Sequence, residues 1–274
     1  MAELVGAFAA SHAPSVARDW ETLPTKVRTD LAAAYDKVGA RFRAARPDVL
    51  IEVSPDHWCN FVLDNLPSIS IGIGAEHDGP PEPFMRRVFP YPTIPGHAGL
   101  GRHLVEYALG HDFEPALSHR LTLDHGSCIP LWRMGLNPPP PIVPILVNGI
   151  EPPMPSIHRC VAWGRMIAEA VKSYPENIRV AVLATGGLSH SIGEPTMGAI
   201  DEELDGDCIR LFQRGAVQPI IDYLDDALPR AGNGGHEIRN WVIAHAAAGC
   251  EGFELLDYLP VPEVYVGCGF AAWR

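Results

Sequence analysis

The sequence predicts an α/β protein in which a central mixed sheet is flanked by helices and the active site lies where strands end. Short, β-branched apolar runs alternate along the chain with longer helix-like segments, which is typical of this class. Apolar residues make up 47% of the 274 residues, enough to cover both faces of such a sheet. The proline cluster Asn137–Pro141 is too short to be a linker, so we expect one domain over residues 1–274.

Five runs have the composition of buried strands, because they are short and β-branched and end in turn residues. They are Leu4–Ala10, Asp48–Val53, Ile142–Val147, Arg179–Ala184 and Val264–Phe270. The predicted helices lie between them: Thr25–Arg46, Gly99–Leu109, Ile157–Ser173, Ala199–Gln213, Val217–Leu224 and His236–Ala248. Ligands of such proteins bind where strands end and loops begin, so the residues that follow the strands are the first candidates for a site.

Charge and composition exclude several classes of partner. The formal net charge of −12 repels phosphate backbones and anionic lipids, so we expect neither nucleic acid nor a membrane as a partner. No apolar run is long enough to span a bilayer, and the N-terminal segment lacks the basic region of a signal peptide. Six scattered cysteines without a CxxC pair are typical of a reduced protein. We therefore expect a cytoplasmic protein.

A histidine follows three of the predicted strands within a few residues. His12 comes after the first strand, His57 after the second and His190 after the fourth. A single histidine at such a place is usually a loop residue that bonds to backbone or water. If the three strands run parallel, however, the imidazoles meet at one edge of the sheet. Imidazole is a good ligand for iron, zinc, copper and nickel, so the pattern indicates a metal site.

Such a cluster needs a carboxylate, and Glu237 is the best candidate because it lies where the glycine-rich stretch 232–235 leads into a predicted helix. There the helix dipole stabilises an ionised side chain, although a solvated glutamate is common at such positions. The sequence Asp124-His125-Gly126 is a second candidate feature. An aspartate before a histidine can orient a ring and fix its tautomer, and the glycine leaves room for a ligand.

Three motifs of other enzymes match only in part. The stretch 187–191 follows a strand as the nucleophile elbow G-x-S-x-G does, but Ser191 replaces the last glycine and disfavours a serine hydrolase. The pair His236-Glu237 begins like the zinc motif H-E-x-x-H, but residue 240 is asparagine. The G-x-G-x-x-A pattern at 267–272 has no helix and strand after it, so it predicts no dinucleotide site.

Six short motifs occur in the order SHAP, SPDH, DHG, VNG, TGGLSH and GHEIRNW. In order and spacing they resemble the class III extradiol ring-cleavage dioxygenases, the family of the LigB-type catalytic subunit of protocatechuate 4,5-dioxygenase. The resemblance covers nearly the whole chain. It implies an enzyme of aromatic catabolism that uses non-heme Fe²⁺ and O₂ to cleave a catechol-type ring, with vicinal hydroxyl or amino and hydroxyl groups, beside those groups.

The resemblance also implies roles for individual residues. His12, His57 and Glu237 correspond to the ligands of Fe²⁺, and two histidines with one carboxylate form the facial triad of non-heme iron oxygenases. His190 corresponds to the acid/base residue, and His125 to a residue that bonds a substrate oxygen. Weaker candidates for substrate contact lie beside them: Ser189, Asp124 and Gly187.

Alternatives stay open from the sequence. Imidazole and carboxylate also bind zinc, so a zinc-dependent hydrolase is a second interpretation. A third is a non-catalytic companion subunit, although such relatives have usually lost metal ligands. Because the protocatechuate enzyme has a separate small subunit that covers its active site, we expect either such a partner or a homo-oligomer. The ring substituent also stays open: a carboxylate, an alkyl acid, an amino group or a pyridine nitrogen.

Overall fold

The computed structural model describes residues 1–274 and contains ten strands and nine α-helices. The strands are β1 (Glu3–Ala10), β2 (Val49–Ser54), β3 (Ile69–Gly72), β4 (Glu76–Asp78), β5 (Thr93–Pro95), β6 (Ala116–Ser118), β7 (Ile142–Val147), β8 (Arg179–Thr185), β9 (Phe253–Val261) and β10 (Val266–Trp273). The helices are α1 (Ser15–Arg18), α2 (Thr25–Ala45), α3 (Pro83–Val88), α4 (Ala98–Leu109), α5 (His125–Arg133), α6 (Ile157–Ser173), α7 (Glu202–Arg214), α8 (Val217–Ala227) and α9 (Ile238–Ala247).

Eight strands form one mixed sheet in the order β6-β3-β7-β2-β8-β1-β10-β9. The four central strands, β7, β2, β8 and β1, are parallel to one another. On one side β3 runs antiparallel to β7, and on the other β10 runs antiparallel to β1 and β9 to β10. The remaining strands, β4 and β5, pair separately. The predicted α/β class with a central mixed sheet is confirmed.

The central strands are apolar on both faces because helices cover both sides of the sheet. In β1, Ala7 and Ala9 belong to the core beneath α6 and α9, whereas Phe8 and Ala10 belong to the core beneath α2. Successive side chains of a strand point to opposite faces, so a strand with helices on both sides is apolar at nearly every position. This is why the sequence shows continuous apolar runs and not an alternating pattern.

Several elements differ from the sequence-based prediction. The sheet strands β3, β6 and β9 were not predicted, and neither was α5, which has Asp124 as its N-cap and Pro130 in its interior. The predicted strand Val264–Phe270 begins at Val266 and continues to Trp273, because Pro262–Val264 forms a 3₁₀ turn. The predicted helix at His236 likewise begins with a 3₁₀ turn that contains Glu237, and the α-helix starts at Ile238.

The six cysteines form no disulfide. Five are buried and Cys59 is half-buried, so the thiols behave mainly as small apolar side chains of the core. None of the helices combines the length and the apolar character that crossing a bilayer requires.

One carboxyl group lies within the core, on one of the central strands. Glu52 on β2 is fully buried, and neither of its carboxyl oxygens has a hydrogen-bond partner. Burial raises the pKa of Glu52 to about 8, and the negative charge of Asp124 acts in the same direction. The folded protein therefore holds a proton on Glu52 at pH values where the unfolded chain has released it.

We predict that Glu52→Gln makes stability less dependent on pH. The pKa of Glu52 rises from 4.5 to about 8 on folding, so the contribution of this group to stability is largest below the lower value and is lost as the pH rises to the upper one. As the pH rises from about 5 to about 8, the unfolding free energy of the parent should fall by about 3 kcal/mol more than that of the variant. Denaturant titrations at the two pH values measure this difference. The exposed Glu263→Gln is the control, and equal differences for the two variants would contradict the prediction.

Candidate active site

The carboxyl ends of the four parallel strands open onto one cavity of about 370 Å³. His12 follows β1, His57 follows β2, Gly149 follows β7 and His190 follows β8, and all four residues line the cavity. Parallel strands end at the same edge of a sheet, so the topology brings together residues that are far apart in the chain. A larger depression of about 580 Å³ lies elsewhere on the surface and contains no histidine in its lining.

The carboxylate of Glu237 lies among the histidines and is only 4% exposed. Its Oε1 atom is 3.1 Å from Nε2 of His12 and 3.4 Å from Nε2 of His57. Its Oε2 atom accepts a hydrogen bond from the backbone N–H of Gly187 at 2.7 Å and is 3.9 Å from Nε2 of His190. Burial opposes the charge of Glu237, but the three histidines outweigh this effect and hold its pKa well below the ordinary value.

The start of α9 is fastened to the end of β8, which fixes the position of Glu237. The side-chain amide of Asn240 donates to the carbonyl of Thr185 at 2.9 Å, and the indole N–H of Trp241 donates to the carbonyl of Gly186 at 3.0 Å. Gly186 has a φ of +99°, and a Cβ atom there would lie 2.3 Å from Oε2 of Glu237. A glycine is therefore required at 186 both by the backbone conformation and by the close approach of the carboxylate.

Each of the four histidines around the cavity is held through Nδ1, so Nε2 is the nitrogen that could meet a metal ion or a proton, and in His12 and His57 it lies beside Oε1 of Glu237. The Nδ1 partners are Thr185 Oγ1 for His12 (3.2 Å), Asp124 Oδ2 for His57 (3.1 Å), Glu82 Oε1 for His125 (2.8 Å) and the Leu188 carbonyl for His190 (2.9 Å). The last three partners can only accept, so Nδ1 of those rings carries a proton. In the neutral ring, Nε2 then has its lone pair available.

Asp124 and His57 form a charge-assisted pair behind the cavity. Burial opposes a charge on His57, but Asp124 and Glu237 outweigh it and raise the pKa of His57 to about 10. Burial likewise opposes the charge of Asp124, and the neighbouring His57 overcomes this and keeps its pKa below the ordinary value. Oδ2 of Asp124 also accepts the backbone N–H of His57 at 3.0 Å, so one carboxylate fixes both the loop and the ring. For His12, burial dominates and lowers the pKa.

The arrangement fits a divalent metal ion and offers two possible sets of ligands. One set is His12, His57 and His125, and the other is His12, His57 and Glu237. Ring nitrogens of His12, His57 and His125 lie within 4.8 Å of one another, and the ring of His125 stacks on His57 with centroids 4.2 Å apart. Glu237 approaches the first two histidines from another side. A buried carboxylate is costly without a cation, and the ion-pair partners of Glu237 are all histidines, which favours a metal ion beside it.

The three weaker candidates for substrate contact are placed differently from what was expected. Ser189, Asp124 and Gly187 do not line the cavity, although each lies close to a residue that does. Gly187 donates to Glu237 and Asp124 holds His57, not the adjacent His125. Ser189 points away, because its Oγ donates to the buried carboxylate of Asp205 at 2.8 Å. The structure therefore contains no serine nucleophile paired with His190.

Two residues that hold the histidines were not found by sequence reasoning. Glu82 lies between prolines in a stretch identified only as a loop, and nothing in the sequence links it to His125, which is 43 residues away. The hydroxyl of Thr185 connects His12 to Ser54, because it donates to Oγ of Ser54 at 2.9 Å. The only signal for Thr185 in the sequence was its place at the end of an apolar strand, directly before Gly186 and Gly187.

We predict that Asp124→Asn weakens metal binding by about 10–100-fold, because the neutral amide no longer provides a charged acceptor for Nδ1 of His57. A competition titration against a chelator measures the affinity. Glu82→Gln is the matched control, since it removes the same type of contact from His125, and its effect should stay within about threefold. Equal losses in the two variants would instead place His125 among the ligands.

Comparison with known proteins identifies the family. Residues 6–267 match the family model described as the catalytic LigB subunit of aromatic ring-opening dioxygenase. A 2,3-dihydroxyphenylpropionate/2,3-dihydroxicinnamic acid 1,2-dioxygenase 2 from Dechloromonas aromatica (strain RCB) is 28% identical over 94% of this chain and 92% of its own length. The corresponding 1,2-dioxygenase of Rhodococcus globerulus is 24% identical over 89% of this chain and 90% of its own.

A solved structure supports the fold alone. It is that of an uncharacterized protein from Escherichia coli K12, with a TM-score of 0.64 and 16% identity over 98% of this chain and 99% of that one. The family match spans nearly the entire chain and confirms the resemblance derived from the six motifs. The chain therefore belongs to the LigB family of aromatic ring-opening dioxygenases, which are extradiol ring-cleavage enzymes.

Proposed function

We propose that this protein uses non-heme Fe²⁺ and O₂ to cleave a catechol-type ring beside its two hydroxyl groups, in the breakdown of aromatic compounds. The observation that carries the proposal is the buried carboxylate of Glu237 between Nε2 of His12 and Nε2 of His57, in a cavity large enough for one aromatic ring. Bound through these three side chains, the metal would supply open coordination positions and the transfer of electron density from ring to O₂.

We assign His190 the role of the base that takes a proton from the diol. Its Nδ1 donates to the carbonyl of Leu188, so in the neutral ring Nε2 is the atom that accepts a proton. The ring lines the cavity, and Nε2 is 3.9 Å from Glu237 Oε2. A histidine in this position can take a substrate proton and later return it, without itself holding the metal.

We assign His125 the role of binding a substrate oxygen. It lines the cavity, and Glu82 fixes its ring through Nδ1, so Nε2 is the atom that can meet a ligand. Because the ring stacks on His57, an oxygen bonded to His125 would lie beside the proposed metal position. His125 would thereby orient the diol for the transfer of its proton to His190.

The alternatives account for fewer of the observations. A zinc-dependent hydrolase would use the same donors, and the match to a family of ring-opening dioxygenases is what favours iron chemistry over it. A non-catalytic companion subunit has no need of four oriented imidazoles and a buried carboxylate.

A homo-oligomer or a separate small subunit is supported by the apolar Trp58 and Ile192, which are 41% and 47% exposed at the cavity. A cytoplasmic location stays a prediction.

Metal reconstitution tests the proposal. The protein is prepared without oxygen, loaded with either Fe²⁺ or Zn²⁺, and mixed with a panel of catechols, aminophenols and hydroxypyridines. We expect O₂ uptake and a yellow ring-fission product with Fe²⁺ only. Turnover with Zn²⁺ in a hydrolytic assay would favour the hydrolase. A protein that binds neither metal would favour the companion subunit, and an iron-loaded protein inactive across the panel would contradict the proposal.

A further inference from the structure

The cavity wall beyond the histidines contains no cationic side chain. Among its 15 lining residues there is no lysine and no arginine. The apolar part of the wall is formed by Ala13, Pro14, Trp58, Ile150, Ile192 and Val266. The one amide in the lining, that of Asn233, is occupied, because its Nδ2 donates to the carbonyl of Ile192 and its Oδ1 accepts the N–H of the same residue. A carboxylate on a substrate would therefore meet no fixed countercharge from this chain.

The arginines nearest in sequence to the cavity residues are engaged elsewhere. Arg18 pairs with Asp19, and Arg230 pairs with Asp201. Arg239, two residues after Glu237, is buried and donates from Nε to the carbonyl of Pro155 and from Nη1 to the carbonyl of His236. Moving any of these guanidinium groups into the cavity would break an existing hydrogen bond or ion pair.

The charge balance of the site also opposes a second anion. Three carboxylates surround the histidines: Glu237 contacts His12 and His57, Asp124 holds His57, and Glu82 holds His125. Histidines are the only ion-pair partners of these three carboxylates, so no lysine or arginine offsets their charge. A carboxylate elsewhere on a bound ring would therefore lie close to several groups of the same sign.

We infer that the ring substituent of the natural substrate is uncharged and apolar, so that the preferred substrate is a neutral alkyl- or aryl-substituted vicinal diol and not a carboxylated one. This rests on the proposed ring-cleavage function. It separates the chain from relatives whose printed names specify 2,3-dihydroxyphenylpropionate and 2,3-dihydroxicinnamic acid, both of them acids. Burying a carboxylate without a partner is strongly unfavourable, whereas an alkyl group gains from contact with Trp58, Ile150 and Ile192.

A matched pair of diols tests this inference. The substrates 3-(2,3-dihydroxyphenyl)propionate and its methyl ester have nearly the same shape and differ by one charge. Dissociation constants are measured without oxygen on the metal-loaded protein, from the quenching of tryptophan fluorescence, and kcat/KM is measured in air. We expect the ester to be favoured at least tenfold in both measurements. An acid that binds and reacts as well as its ester would overturn the inference and leave ring cleavage intact.

The two proposals fail in different ways. If neither diol nor any neutral alkylcatechol binds to or is cleaved by iron-loaded protein, the ring-cleavage function fails, and the inference fails with it. If catechols are cleaved but every acid is preferred over its ester, only the inference fails.

A charge placed in the wall gives an independent test. Ile192→Lys puts an ammonium group at the cavity, and we expect it to shift the ratio of acid to ester by at least about fivefold toward the acid. Ile192→Gln controls for the loss of the apolar side chain. Leu109→Lys adds the same charge on the exposed end of α4, outside the lining. An unchanged ratio in Ile192→Lys, or an equal shift in Leu109→Lys, would overturn the role of the uncharged wall.

Discussion

Replacing Glu237 with glutamine should abolish metal binding at the active site and ring cleavage with it. The amide has nearly the size of the carboxylate, so the cavity keeps its shape, but the negative charge beside Nε2 of His12 and Nε2 of His57 is lost. The amide also brings N–H donors toward a place that requires lone pairs. We expect a loss of affinity well beyond the about 10–100-fold that removal of an outer hydrogen-bond partner costs.

Metal content after anaerobic loading and gel filtration, with a chelator competition for the affinity, measures this loss. His125→Gln is the matched control, because ring nitrogens of His125 are also close to those of His12 and His57. The control should retain its metal and lose activity only. If His125→Gln lost the metal and Glu237→Gln kept it, three histidines would be the ligands and the assignment of Glu237 would be wrong.

The second large effect is expected at His190. In His190→Gln the side chain can still form hydrogen bonds, but it has no site that takes up a proton at neutral pH. General acid/base catalysis contributes about 10²–10⁴-fold to a rate, so kcat should fall by that factor. Metal affinity and the dissociation constant of the diol should change by no more than a few-fold, because His190 approaches Glu237 only to 3.9 Å.

Single-turnover kinetics with preloaded iron and diol separates the chemical step from binding. His111→Gln is a suitable control, since His111 is exposed and bonds only to the backbone carbonyl of Tyr107. Loss of iron in His190→Gln would make the residue a ligand. Unchanged turnover would show that the diol proton leaves by another route.

The central strands and the residues that follow them could be predicted from the sequence. Because β1, β2, β7 and β8 are buried on both faces, their apolar runs are continuous, and the histidines after β1, β2 and β8 follow directly from the parallel topology. Strands β3 and β6 have four and three residues, which is too short for a periodic pattern. Strand β9 lies at the sheet edge and is mostly half-buried, so its composition does not distinguish it from a loop.

Contacts between distant side chains could not be predicted in the same way. The sequence places Asp124 beside His125, yet the carboxylate bonds to His57, because Asp124 caps α5 and faces the loop that follows β2. The helix dipole was expected to stabilise Glu237, and the structure places this residue at the end of a 3₁₀ turn, directly before α9. The sequence did not reveal the three histidines and the backbone N–H that also hold the carboxylate. Such partners depend on how the elements pack, which a local pattern does not contain.

The chain separation of His12 and Glu237 has a consequence for the folding of the protein. The two side chains meet across 225 residues, so the proposed metal position is complete only when the first strand, the end of β8 and the start of the last helix have all docked. An ion bound there would act as a cross-link between distant parts of the chain and would bind the native state in preference to the unfolded one. At a free metal concentration about 1,000 times the dissociation constant, this selectivity adds about 4 kcal/mol to the unfolding free energy. The availability of metal would therefore raise the stability of the folded enzyme as well as its activity.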